Sequence, residues 1–118
     1  MEFFDRSGRP VVYCVDGEHL FLWSGKPVGY LSSGRVYSFS GRILGWFEDG
    51  WLYDLRNRPA LFSKDAAGGP MKPLRRMTPM KAMRSMLPMK SMKSMTPLRP
   101  MKSMSWSPVA NVGYFAQA

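Results

Sequence analysis

The first 62 residues run as short apolar stretches broken by turn-forming clusters about every eight residues. Four segments of this stretch stack in register: "FDRSGRPVVY" (4–13), "FLWSGKPVGY" (21–30), "YSFSGRILGW" (37–46) and "YDLRNRPALF" (53–62). Each opens on an aromatic (Phe4, Phe21, Tyr37, Tyr53) and closes on one (Tyr13, Tyr30, Trp46, Phe62). The central turn residues are Gly8, Gly25, Gly41 and Asn57, each followed by a basic side chain: Arg9, Lys26, Arg42, Arg58. Asn tolerates the left-handed backbone that Gly adopts, so each segment predicts a β-hairpin with a type I turn and a bulge. "VDGEH" (15–19), "SSGRV" (32–36) and "EDGWL" (48–52) supply tight turns between the units. The pattern predicts an all-β fold of eight short antiparallel strands in four hairpins.

A lone hairpin is unstable in water, whereas four around a common axis can bury a shared core. Gly29 and Gly45 share a strand column with Val12 and Leu61, which predicts close backbone approach near that axis. The aromatics are then expected between neighbouring units. A core of this size is marginal unless something else covers it.

From 71 onward the period changes. An apolar residue stands at every third position: Met71, Leu74, Met77, Met80, Met83, Met86, Met89, Met92, Met95, Leu98, Met101 and Met104. The next phase is mostly basic (Lys72, Arg75, Lys81, Arg84, Lys90, Lys93, Arg99, Lys102), and the third is mainly proline and serine. A helix advances 100° per residue and would smear a period-three stripe around its surface, and a strand would throw it onto both faces. Prolines at 73, 79, 88, 97 and 100 also exclude a continuous helix. Polyproline II has three residues per turn and needs no internal hydrogen bonds, so it keeps three straight stripes. The chain therefore divides into a four-hairpin domain (1–64), a hinge "DAAGGP" (65–70), a period-three tail (71–106) and a C-terminal anchor segment (107–118). Trp106, Tyr114 and Phe115 are the expected anchors, on the hairpin domain or on a neighbouring chain.

Charge sharpens this division. Residues 1–65 hold eight basic and all eight acidic side chains, while 66–118 hold nine basic side chains and no acid. The net charge of +9 thus belongs to the second half. Lys72, Arg75, Arg76, Lys81, Arg84, Lys90, Lys93, Arg99 and Lys102 form a candidate anion-binding set.

The stretch "GRILGWFEDGWLYD" (41–54), within a likeness covering roughly 3–63, resembles the four-fold beta-flower proteins, a bacterial family. The resemblance implies four hairpin petals about a pseudo-fourfold axis and carries no catalytic or binding residues with it. Tyrosine-aspartate shell repeats and tryptophan-glycine repeats share some flavour, but their periods are longer.

Candidate chemistry is sparse. A single cysteine, Cys14, and a single histidine, His19, give no disulfide and no zinc ligand set. Leu74 and Leu98 occupy the methionine phase, so that phase calls for an apolar group and not for a sulfur ligand to copper, and the flanking cations would repel a metal. Asp5 and Asp54 occupy equivalent columns, but Leu22 and Ser38 replace them in the middle units, so they read as surface strand positions. His19 lies across a turn from Cys14 and reads as a satisfied or exposed histidine. Arg9, Lys26, Arg42 and Arg58 either ring one rim of the flower or simply follow their turns.

No enzyme, cofactor or metal is expected, and no apolar run approaches the length of a membrane span. A cytoplasmic interaction module is the leading expectation, its apolar stripe packing on the scaffold, on a second copy or on a partner. The alternative is an anion-binding protein whose basic tail meets nucleic acid, an anionic membrane surface or an acidic protein.

Overall fold

The computed structural model describes residues 1–117, and Ala118, the last residue of the expected anchor segment, lies outside them. Eight strands follow in order: β1 (Glu2–Phe4), β2 (Pro10–Tyr13), β3 (His19–Leu22), β4 (Pro27–Ser32), β5 (Arg35–Tyr37), β6 (Ile43–Glu48), β7 (Trp51–Tyr53) and β8 (Pro59–Phe62). Each pairs antiparallel with its neighbour, and Phe4↔Phe62 closes β8 onto β1, so the four hairpins form a barrel without free edges. The fold is the predicted all-β arrangement of four hairpins. No helix among the described residues is long and apolar enough to cross a membrane.

The hairpin turns are alike. The N–H groups of Gly8, Gly25, Gly41 and Asn57 donate to the carbonyls of Asp5, Leu22, Ser38 and Asp54 at 2.9–3.0 Å. Those four residues have φ of +83°, +91°, +89° and +59°, the left-handed conformation that follows a type I turn in a bulged hairpin. The strand register shifts beside each turn, between Phe3 and Phe4, Leu20 and Phe21, Val36 and Tyr37, and Leu52 and Tyr53.

Alternation then sorts the side chains. Phe3, Val12, Leu20, Val36, Leu52 and Leu61 fill the interior. Their neighbours Phe4, Tyr13, Phe21, Tyr30, Tyr37, Trp46, Tyr53 and Phe62 line the outer wall. There the last aromatic of one hairpin meets the first of the next: Tyr13 with Phe21 at 5.9 Å, Tyr30 with Tyr37 at 5.6 Å, Phe62 with Phe4 at 5.9 Å.

The barrel axis is plugged by the chain's own C-terminal end. A short 3₁₀ helix (Val112–Ala116) is capped by Asn111 and inserts Tyr114, which is fully buried with its hydroxyl donating to the Tyr53 carbonyl at 2.8 Å. Gly45 makes room for it: a Cβ there would lie 1.8 Å from the Tyr53 oxygen and 2.7 Å from the Tyr114 hydroxyl. Gln117 donates to the Leu44 carbonyl at 2.8 Å. The plug supplies the cover that a core of eight short strands lacks by itself.

One expectation is corrected. Asp5 and Asp54 are not surface strand positions but buried turn residues, 4% and 1% exposed. The register shift ends the strand one residue before them, so each carboxylate falls inside its turn. There it accepts the N–H groups two and four residues on at 2.8–2.9 Å, and the guanidinium of Arg9 or Arg58 at 3.3 or 3.0 Å. The middle turns hold their shape without a carboxylate.

Candidate functional site

Residues 71–104 form neither helix nor strand, yet they are tied to the barrel at regular intervals. The N–H groups of Arg76, Ser85, Ser94 and Ser103 donate to the carbonyls of Gly8, Gly25, Gly41 and Asn57 at 2.8, 2.9, 2.7 and 3.1 Å. A constant step of nine residues along the tail thus matches one hairpin of the barrel. The tail accordingly divides into four nonapeptides, "MKPLRRMTP", "MKAMRSMLP", "MKSMKSMTP" and "LRPMKSMSW". The period-three reading missed this longer repeat, although its signal is plain. Every third member of the basic phase is uncharged: Thr78, Leu87, Thr96 and Ser105.

The strap also explains the turn glycines. A Cβ on Gly8, Gly25 or Gly41 would lie 2.1, 2.0 or 1.9 Å from the carbonyl oxygen of Leu74, Met83 or Met92. At the fourth turn Asn57 adapts: its side-chain amide donates to the Pro100 carbonyl at 2.7 Å, and its side-chain oxygen accepts from Arg99 at 3.0 Å.

The basic phase points inward. Arg75 lies 5.6 Å from the Phe4 ring, Lys81 4.9 Å from Tyr13, and Arg84 5.5 Å from Phe21. Lys90 is 4.9 Å from Tyr30, Lys93 5.6 Å from Tyr37, Arg99 5.3 Å from Trp46, and Lys102 5.1 Å from Tyr53. The negative face of an aromatic ring attracts a cation, each such contact contributing about 0.5–1 kcal/mol where it is exposed. Acids of the barrel complete the hold: Lys81 meets Glu2 at 2.7 Å, Lys90 meets Glu18 at 2.7 Å, and Arg99 and Lys102 share Glu48 at 2.7 and 3.0 Å. The hydrogen bond from Lys90 holds the Glu18 carboxyl below its ordinary range, and the one from Lys102 does the same for Glu48. The Lys102 ammonium is pushed up in return.

Lys72 departs from the series and donates to the Ala66 carbonyl. The wall aromatic it would otherwise reach, Phe62, is covered by Trp106 at 6.2 Å, which also stands 5.4 Å from Trp51. Ser107 follows and donates to Asp54 at 2.5 Å. This cluster joins the two ends of the strap. All nine members of the candidate anion-binding set keep contact with solvent, and Arg76 is the one whose side chain meets no ring, carboxylate or carbonyl among the described residues.

With the cations turned in, the apolar phase is turned out. Eleven of its members, Met71 to Met101, are 92–95% exposed and Met104 is 64% exposed. Packing of this stripe on the scaffold, one of the three placements the sequence allowed, is therefore not what the chain does. The barrel wall presents aromatic faces, which hold the cations, and a repeat of three can direct only one phase at the wall. The result is a belt of thioether and leucine side chains standing free.

The remaining sequence candidates do not assemble into a reactive group. The His19 ring lies 2.6 Å from Asp16 and parallel to Phe39, while the Cys14 thiol faces the Asp16 carboxylate at 3.8 Å. Burial, with Asp16 adding to it, pushes that thiol's pKa up. Asp16 is also partly desolvated, but hydrogen bonds from the His19 ring and backbone outweigh this and hold its carboxyl well below the usual range. Of the cations that follow the turns, Arg9 and Arg58 lean back onto Asp5 and Asp54, and Arg42 donates to the Gln117 carbonyl at 3.3 Å. No group of three His, Cys, Asp or Glu side chains is placed to hold a metal among the described residues.

No curated protein and no solved structure matches the chain. The family model of the 4-fold beta flower protein does, over residues 1–115, so the likeness read on 3–63 extends through the strap and into the axial plug. With four hairpins closed into one barrel and that match along nearly its whole length, the chain belongs to the 4-fold beta flower family.

Proposed function

We propose that this chain is a non-enzymatic interaction module of the cytoplasm, in which the barrel is the scaffold and the strap presents an apolar belt to a partner. The observation that carries the reading is the near-complete exposure of eleven belt side chains on a strap that is tied to all four hairpin turns and has seven of its nine cations over barrel rings. Large exposed apolar surface on a folded chain marks a site of association, and methionine adapts its shape to varied apolar surfaces. We further assign the strap polyproline II character. Its 36 residues from Met71 to Trp106 would span about 110 Å at ~3.1 Å each. That is about the perimeter of a disc 37 by 35 Å across.

The acid-free second half favours a second reading, binding of nucleic acid or another polyanion. Seven of the nine candidate cations lie over aromatic rings, and four of those also face carboxylates. This ranks the polyanion reading second.

Neutral detergent micelles test the belt. In protein carrying ¹³C-methyl methionine, dodecyl maltoside should shift the strap methyl resonances while the barrel amide spectrum stays in place. Unshifted methyls above the critical micelle concentration would refute an apolar docking belt.

A further inference from the structure

We infer that the partner of the belt is an anionic lipid surface, with methionine side chains sunk past the headgroups and the strap cations held at the level of the phosphates. This deepens the interaction-module reading and rests on it. The first support is the order of layers. Outermost stand the thioethers, 92–95% exposed. One layer beneath lie Arg75, Arg84 and Lys93, each over a ring of the wall. A lipid interface presents the complementary order, apolar chains deepest and phosphates above them. A nucleic acid presents phosphates outermost, so they would meet thioethers before cations.

The second support is the form of the belt. Its side chains protrude singly, about 9 Å apart along an extended strap. A folded partner would need a socket for each of them, whereas a fluid interface receives flexible side chains at any spacing. The belt follows the strap past all four hairpins, so no single sector has to be the docking face. The third support is charge. The net charge of +9 opposes close approach of a second copy and favours an anionic surface.

Full-length protein is sedimented with vesicles of phosphatidylcholine alone and of phosphatidylcholine mixed with phosphatidylglycerol. The comparison variant carries Met80→Ser, Met83→Ser, Met89→Ser and Met92→Ser, which keep every charge. Its melting curve should match the parent, because these side chains are 93–95% exposed. The expected result is pelleting with the mixed vesicles only, weakened about tenfold or more in the variant, since interfacial binding scales with buried apolar area plus attraction to anionic lipid. Vesicle-bound methionines should also resist peroxide. Equal pelleting of parent and variant would overturn the inference in favour of charge alone. So would complete displacement from vesicles by duplex DNA at equal phosphate, which would assign the surface to nucleic acid. No pelleting while neutral micelles still shift the strap methyls overturns the lipid partner alone, and failure of both overturns the belt reading as well.

Discussion

Replacing Gly25 by Ala separates two roles that the residue combines. It adopts φ of +91°, and its missing Cβ is where the Met83 carbonyl oxygen lies, at 2.0 Å. Gly17 has a similar φ of +78° with nothing within 4 Å of a Cβ, so Gly17→Ala carries the backbone cost by itself. That cost is about 1–2 kcal/mol. Gly25→Ala must in addition lift the strap from its turn. This costs the Ser85 to Gly25 hydrogen bond, about 1 kcal/mol, and weakens the Arg84 contact with Phe21 by about 0.5–1 kcal/mol. The second variant should therefore lose about 1.5–2 kcal/mol more than the first in urea unfolding. The difference in melting temperature should be several degrees, since each kcal/mol moves a domain of this size by about 4 °C. Equal losses in Gly17→Ala and Gly25→Ala would refute the seating of the strap on the turns.

Three further outcomes follow from the same contacts. Tyr114→Phe removes the buried hydroxyl's hydrogen bond to the Tyr53 carbonyl and should cost about 0.5–1.5 kcal/mol in denaturant unfolding; an unchanged midpoint would contradict a plugged axis. Acid should loosen the strap before it unfolds the barrel. The Glu18 and Glu48 carboxyls are held below their ordinary pKa, so their contribution is present above pH ~4.3 and is lost as pH falls through the depressed folded values. Raised Lys102 runs the opposite way, its contribution being complete below pH ~10.4 and lost as pH rises through its folded value. Tryptophan fluorescence, to which Trp46 under Arg99 and Trp23 under Lys81 contribute, should report the acid step below pH ~4, and no change ahead of global unfolding would count against it. Peroxide should convert the strap methionines to sulfoxides with the circular dichroism and melting curve unchanged, because sulfoxidation disrupts only methionines that pack; unfolding on oxidation would mean that the belt is part of the core.

Much of the barrel is legible because its information is local. Each hairpin repeats its aromatic, turn and basic columns, and a turn needing positive φ leaves a Gly or Asn in the chain. Gly29 and Gly45 announce close approach, but nothing local says that Tyr114, far along the chain, takes the space beside Gly45. Asp5 and Asp54 read as strand positions in the sequence because the alternation of a strand cannot locate a register shift at its end. The strap was half legible: period three separates its faces without saying which faces inward. Methionine is the more hydrophobic choice, and burial by hydrophobicity alone would put it inside. The wall holds cations instead, over its ring faces and against the acids Glu2, Glu18 and Glu48, and no apolar pattern in the strap announces those partners. The nonapeptide repeat could have been found by aligning the uncharged members of the basic phase, and its four copies would have announced one strap unit per hairpin.

The most direct test of an inward cationic face and an outward methionine belt is solvent paramagnetic relaxation of ¹³C-methyl methionine by a soluble nitroxide. The strap methyls from Met71 to Met101 should relax together, at rates near that of free methionine, while in ¹⁵N-labelled protein the amides of Tyr114 and the inner strand residues stay unaffected. A strap with several methyls shielded as strongly as the barrel interior would contradict the arrangement and place the methionines, not the cations, against the wall.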